Sequence, residues 1–206
     1  MQLSEGQRQA LLDSLYLAPF HDGGWQSFLN ELVKLTDSRS ARMLILNRDA
    51  DQVHNSIQVN TDQNAHRAYV DHYVNLCPWR PELKQKTPGK LYSTFLDFSC
   101  DQKGYYKSEF FNDWARPQDI HHGACGTVWC HDDLNIQLLV QRTGGQGHFC
   151  HDTMQALNEL LPHVRRALRI ESMQWQQRYQ QAARDQQHNC SAMILVNAQG
   201  RVVYIS

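Results

Sequence analysis

Ala41-Arg-Met-Leu-Ile-Leu-Asn47 and Val53-His-Asn-Ser-Ile-Gln-Val59 decide the fold class of this chain. Each is a short run of strand-forming residues, and Arg48-Asp-Ala-Asp51 between them suits a hairpin loop. The pattern returns downstream, where Ile120 to Cys130 and Leu134 to Arg142 read as two further strands separated by His131-Asp-Asp133. Helical segments precede and separate the two hairpins. Together they predict an α+β domain built on an antiparallel sheet, with helices mainly on one face.

The helices are read from apolar spacing and from their ends. Ser4 starts a pattern with Leu11, Leu12, Leu15 and Tyr16 on one side, closed by Pro19. Asp22 suits the N-cap of a second helix, whose apolar face is Trp25, Phe28, Leu29, Leu32, Val33 and Leu35. Thr61 or Asp62 caps a third, predicted to reach Leu76 with Ala65, Tyr69, Tyr73 and Leu76 on one stripe, before Cys77-Pro-Trp-Arg-Pro81 breaks it. Gly89 to Lys107 reads as loop, and Ser108 caps a short helix through Ala115 that ends before Pro117.

The last quarter of the chain has a different layout. A helical run from Cys150 to His188 would span ~58 Å at ~1.5 Å per residue. Met154, Leu157, Leu161, Val164, Leu168, Trp175 and Ala182 fall at three-and-four or heptad spacings, an a/d seam interrupted at Glu171 and Arg178. Pro162 should kink the run or mark a new start. Beyond it, Ala192 to Ser206 reads as a hairpin turning at Asn197-Ala-Gln-Gly200, and a lone hairpin is marginally stable. The expected division is residues 1–149 as a sensory domain, 150–189 as a connector helix, and 190–206 as the first hairpin of a truncated second domain. Candidate dimerisation residues are Leu161, Val164, Leu168, Trp175 and Tyr179.

Composition narrows the function. A chain of 206 residues with 41% apolar residues can build a core, and a net charge of −1 argues against a general nucleic-acid surface. No apolar run reaches the roughly 18–20 residues of a membrane span, and the start lacks signal-peptide character, so a cytoplasmic protein without membrane contact is expected. The six cysteines (77, 100, 125, 130, 150, 190) form no CxxC and read as reduced thiols.

His121-His122, Cys125, Cys130-His131 and His148-Phe-Cys150-His151 contain metal-ligand types without metal-ligand spacing. Neighbouring histidines on a strand face opposite ways, so no metal site is assigned; His148 and His151 would be the best placed for one. No catalytic signature surrounds any cysteine, and no catalytic residue or cofactor is expected. Gly144-Gly-Gln-Gly147 reads as a turn, and Arg165, Arg166 and Arg169 as a solvated helix face. Aromatic residues cluster around Tyr69-Tyr73-Trp79 and Tyr105-Tyr106-Phe110-Phe111-Trp114. Such clusters fill cores, and they also line small-molecule pockets, where a large apolar ring carries a polar tip.

Four segments carry a family resemblance: Tyr69-Val-Asp-His-Tyr73 with Pro78-Trp-Arg-Pro81, Ser108-Glu-Phe-Phe-Asn-Asp-Trp-Ala-Arg-Pro117, Leu160-Leu-Pro-His-Val-Arg-Arg-Ala-Leu168, and Val196 to Tyr204. In this order the chain resembles the N-terminal PAS/GAF-like sensory region of bacterial LuxR-type helix-turn-helix regulators, over roughly residues 20–206. The resemblance implies a homodimeric sensor of a small, apolar or aromatic effector. It would act on DNA only through a C-terminal domain absent from this chain. Candidate ligand residues are Tyr69, Tyr73, Trp79, Phe111, Trp114 and Trp129. One departure stands out: the family's acidic residue before the proline is Cys77 here, which argues against acyl-homoserine-lactone recognition. A protein-docking domain without a ligand is the alternative, and a Cys/His enzyme or metal-binding domain a more distant one.

Overall fold

Alternation along the strands sorts side chains to two faces of one sheet, and each face receives its own layer. The computed structural model describes residues 4–131, 134–185, 194–196 and 202–205. Its chain runs α1 (Glu5–Leu17), α2 (Gly24–Leu35), β1 (Ser40–Asn47), β2 (Val53–Val59), α3 (Gln63–Asp71), α4 (Arg80–Leu83), β3 (Tyr92–Ser93) and α5 (Gln102–Lys107). A π-helical turn (Phe110–Ala115), β4 (His122–His131), β5 (Leu134–Arg142) and α6 (His151–Asp185) follow. The five strands form one antiparallel sheet in the order β2-β1-β5-β4-β3. The expected α+β architecture on an antiparallel sheet is therefore present. The chain divides into two units after Leu168.

The long helices of the first unit share one face. Ala41 and Met43 of β1, Ile136, Leu138 and Val140 of β5, and Ala124 and Val128 of β4 pack with α1, α2 and the first half of α6. Phe28, Leu29 and Leu32 of α2 are fully buried there, each stabilising by about 1.5–3 kcal/mol through apolar burial. Leu161, Val164 and Leu168 belong to this same core, at 0–3% exposure. Their heptad spacing thus serves packing within the chain, and they are not available as a dimer seam. Helix α6 continues through Pro162.

The opposite face carries Leu44 and Leu46 of β1, and a layer of short segments covers it: α3, α4, α5 and the π-helical turn. Asp62 caps α3 by accepting from Asn64 N–H (2.9 Å) and Ala65 N–H (3.0 Å), which selects it over Thr61. The helix ends at Asp71, earlier than expected, because His72 leaves helical geometry (φ −138°, ψ −60°) and a 3₁₀ turn takes over at Tyr73–Asn75. Two more differences lie in turns. Gly23 (φ 74°) holds the N-cap position of α2 in place of Asp22, since the left-handed conformation there suits glycine. Within the expected loop from Gly89, Asp101 caps α5 by accepting from Gly104 N–H (2.7 Å), and Tyr92–Ser93 joins the edge of the sheet as β3.

That edge requires a glycine. A Cβ on Gly126 would stand 2.0 Å from the Lys90 carbonyl oxygen, so only hydrogen permits the approach of the chain leading into β3. Asn158 of α6 then anchors the same chain from the helix side. Its Oδ1 accepts from Leu91 N–H (2.7 Å) and its Nδ2 donates to Leu91 O (3.1 Å).

The second unit is described over the end of α6 and a two-stranded antiparallel pair, β6 (Ile194–Val196) and β7 (Val202–Ile205). Trp175 is 56% exposed and Met173 54% on that part of α6. Residues 190–193, 197–201 and 206 of the expected hairpin region, with Cys190, and the side chains of Tyr179 and Ala182, lie outside the described residues.

Candidate ligand site

The sheet face under the short segments carries more polar side chains than a core ordinarily holds. Along β5, Gln137, Leu139 and Gln141 project to it, and along β1, Ser40, Arg42 and Leu44 alternate with the residues of the helical face. Register puts Ser40 opposite Gln141, Arg42 opposite Leu139, and Leu44 opposite Gln137. Ser40 Oγ donates to Gln141 Oε1 (2.9 Å), which satisfies one pair. Gln137 is different: it is 1% exposed and neither Oε1 nor Nε2 has a partner.

Above this floor lies an aromatic roof. Trp79 and Tyr105 pack with ring centroids 4.2 Å apart, Tyr69 and Trp114 4.9 Å, and Phe110 and Trp114 5.0 Å. The polar tips of three rings are used inside the roof: Trp79 Nε1 donates to Cys100 O (3.3 Å), Tyr105 Oη to Ile120 O (2.9 Å), and Trp114 Nε1 to Ala65 O (2.7 Å). These bonds orient the rings and leave their apolar surfaces facing the sheet.

Between floor and roof is a cavity of about 40 Å³. Cys125, Gln137, Leu139 and Gln141 line it from the sheet, Tyr69, Trp79, Tyr105 and Phe110 from the roof, and Cys77, Arg80 and Leu83 from the flank. No aspartate or glutamate is among the lining residues. Arg80 is 5% exposed and ties α4 to the first hairpin, with Nε and Nη2 both donating to Ala50 O (3.1 and 2.6 Å). Burial pushes the thiols of Cys77 and Cys125 up and raises Tyr69 to about 12, so all three are neutral at physiological pH. His122, at the rim, is held down to about 4 by burial and then by His148, His121 and Arg142, so it too is uncharged.

Beside the cavity, Arg42 is wholly buried. Its guanidinium carbon lies 4.7 Å from the centre of the Tyr69 ring and 5.0 Å from that of Trp114. Nη2 reaches Thr61 Oγ1 at 3.5 Å, while Nε and Nη1 have no partner. Burial pulls its pKa down.

Of the six ligand residues expected from sequence, Tyr69 and Trp79 line the cavity. Phe111 and Trp114 are buried in the roof around it, and Tyr73 is half-buried at its margin, its ring 6.5 Å from Trp114. Trp129 lies elsewhere: an irregularity between Thr127 and Trp129 pairs it with Ile136, and it packs against the helical face of the sheet. Sequence reasoning missed the floor. A lone arginine within Ala41-Arg-Met-Leu-Ile-Leu46, and glutamines spaced by two along β5, were the available signals.

The cysteine and histidine clusters disperse. Cys125 is buried in the cavity wall while Cys130 is exposed, His121 bonds Asp119 (3.2 Å) and Tyr106 (3.0 Å), and His148 stacks on Phe95 (4.2 Å). Among the described residues, no three His, Cys, Asp or Glu side chains are grouped to hold a metal ion, and no helix is long and apolar enough to cross a membrane.

No protein-family model and no curated protein matches the sequence. Solved structures match the fold. The LBD domain of VqsR from Pseudomonas aeruginosa aligns with a TM-score of 0.59 at 12% identity, over 82% of this chain and 95% of that one. CepR2 of Burkholderia cenocepacia, an N-acylhomoserine-lactone-dependent LuxR family transcription factor, aligns at 0.54 with 11% identity, over 80% and 95%. SdiA of Escherichia coli gives 0.51 at 9%, over 81% and 68%. At such identities what is shared is the fold.

Proposed function

We propose that this chain is the ligand-sensing domain of a LuxR-type transcription regulator, and that its effector binds between the sheet and the aromatic roof. The observation that carries the reading is Gln137. A buried amide with both ends unpartnered costs about 1–3 kcal/mol per orphan group, and it faces a cavity walled by rings. Such an arrangement is costly as core and sensible as a binding floor. The fold shared with VqsR, CepR2 and SdiA supports the same assignment.

A cavity of about 40 Å³ is well below the roughly 300–1,000 Å³ of small-molecule pockets, so binding requires the roof to move outward. The roof suits that motion. It is made of segments of three to nine residues outside the sheet's hydrogen-bond ladder, the low-stability kind of structure from which moving parts are drawn. An effector that binds only the opened arrangement would shift the population towards it, which is all that signalling requires. We place the protein in the cytoplasm, acting as a homodimer whose α6 helices beyond Leu168 carry the signal to a DNA-binding domain.

Native mass spectrometry of the purified chain, with the released material identified, tests the pocket. Wild type is expected to retain a small molecule of apolar or aromatic character. Cys125→Leu, which adds side-chain volume to the cavity, should fold and lose it. A wild-type chain that carries nothing after exposure to cell extract, with Cys125→Leu merely more stable, would favour the docking alternative.

A further inference from the structure

Resting on the sensory reading above, we propose that the effector is an anion of the carboxylate class, its charge taken by Arg42 and Gln137 and its apolar body by the aromatic roof. Among the described residues, Arg42 is a cation buried without a countercharge. It is 0% exposed, and two of its nitrogens are without partners. Among the described residues no carboxylate pairs with it. Leaving a charge buried and unpaired is among the costlier things a fold can do.

The residues around Arg42 do not resolve the charge. Tyr69 and Trp114 place their π-faces against it, which attracts a cation without neutralising it. Gln58, opposite Arg42 on β2, has an unpartnered Oε1 and could take one N–H by turning, yet it carries no charge. His66 is held down to about 4, by burial first and by Arg42 next, so it adds no competing cation at neutral pH. Among the described residues no negative group meets Arg42, and a bound effector is the group that would supply one.

Geometry supplies the place. Arg42 faces Leu139 in the β1–β5 register, so Gln137 is its diagonal neighbour on the same sheet face, ~7–8 Å away by strand geometry. Tyr69, whose ring lies against Arg42, and Leu139, opposite Arg42 in the register, both line the cavity, so displacing the Tyr69 ring would open the cavity towards Arg42. A carboxylate there accepts from Arg42 Nη1 and Nη2, the end of the guanidinium held only by the 3.5 Å contact to Thr61, and from Gln137 Nε2. Cys77 strengthens the case: at neutral pH it is a protonated thiol on the cavity flank, so no fixed anion repels the ligand.

Calorimetric titration of the full chain at pH 7 with benzoate and octanoate, against benzamide and octanamide, tests this. The carboxylates are expected to bind at least about 10-fold more tightly than the amides. Arg42→Met should weaken them by at least about 30-fold and leave the amides unchanged. Should Arg42→Met not fold, Arg42→Lys keeps the charge and loses the two-pronged geometry, and a loss of about 10-fold for carboxylates alone is expected. Amides binding as well as carboxylates, or carboxylate affinity indifferent to Arg42, would overturn the anion assignment and leave the sensory reading standing. Failure of all four probes up to about 1 mM also overturns it, while retention of a neutral molecule by the wild-type chain in native mass spectrometry would still uphold sensing.

Discussion

Glu82 joins the roof to the loop behind it. Its Oε2 accepts from both Ser99 N–H (2.8 Å) and Ser99 Oγ (2.7 Å), and its Oε1 meets Lys86 Nζ at 2.9 Å. These donors, Ser99 foremost, hold the carboxyl down at about 2. Because the folded value lies below the unfolded one, the interaction contributes fully above about pH 4.5 and is lost as pH falls through about 2. Glu82→Gln should therefore lower the Tm at pH 7 by roughly 2–4 °C, the effect of about 1 kcal/mol in a chain of this size. In acid thermal scans it should flatten the dependence between those pH values. A variant with the wild-type acid limb would show that Ser99 and Lys86 do not hold the carboxylate in solution. Residue identity foretold little of this, since Glu82 and Ser99 meet only through the path of the loop between them.

Elements succeed or fail here according to what they lean on. Helix α2 was legible because its apolar stripe faces one continuous core. The tyrosine stripe at Tyr69 and Tyr73 was not, because α3 stops between them and turns Tyr73 to the margin. Edge strand β3, only two residues long, has almost no signal of its own and depends on β4 on one side and Asn158 on the other. Asn158→Ala removes the donor and acceptor that serve Leu91, and should destabilise the chain by about 2 kcal/mol. Hydrogen exchange is expected to locate the effect, with faster exchange at residues 89–94 and little change in β1 and β5. Uniformly faster exchange would mean that Asn158 supports the whole unit instead.

At the scale of the molecule, α6 divides its labour. Up to Leu168 its apolar residues are buried in the first unit, and beyond it Met173 and Trp175 are each more than half exposed. Large apolar side chains left exposed on a helix, Trp175 above all, are what a dimer contact would use. If they do so, Trp175→Ala shifts the chain towards monomer in sedimentation at micromolar concentration, while the melting of the first unit is unchanged. An unaltered dimer, or a wild-type chain that is monomeric throughout, removes the dimer contact from the proposed function and leaves the ligand site untouched.

The two hairpins, the helices of the main core and the aromatic identity of the roof were all local properties. Period, capping residues and turn chemistry act over a few neighbours, so the sequence by itself determined them. The heptad spacing of α6 is local too, but it states only that one stripe is apolar. Whether Leu161, Val164 and Leu168 meet a second chain or their own sheet depends on what lies within reach after folding, and α1, α2 and the sheet do. The binding floor was likewise decided by tertiary structure. Arg42 and Gln137 stand almost a hundred residues apart, and they become neighbours only when β5 crosses to pair with β1. No spacing rule reaches that far, because register between distant strands is set by the burial of whole faces rather than by any residue in either strand.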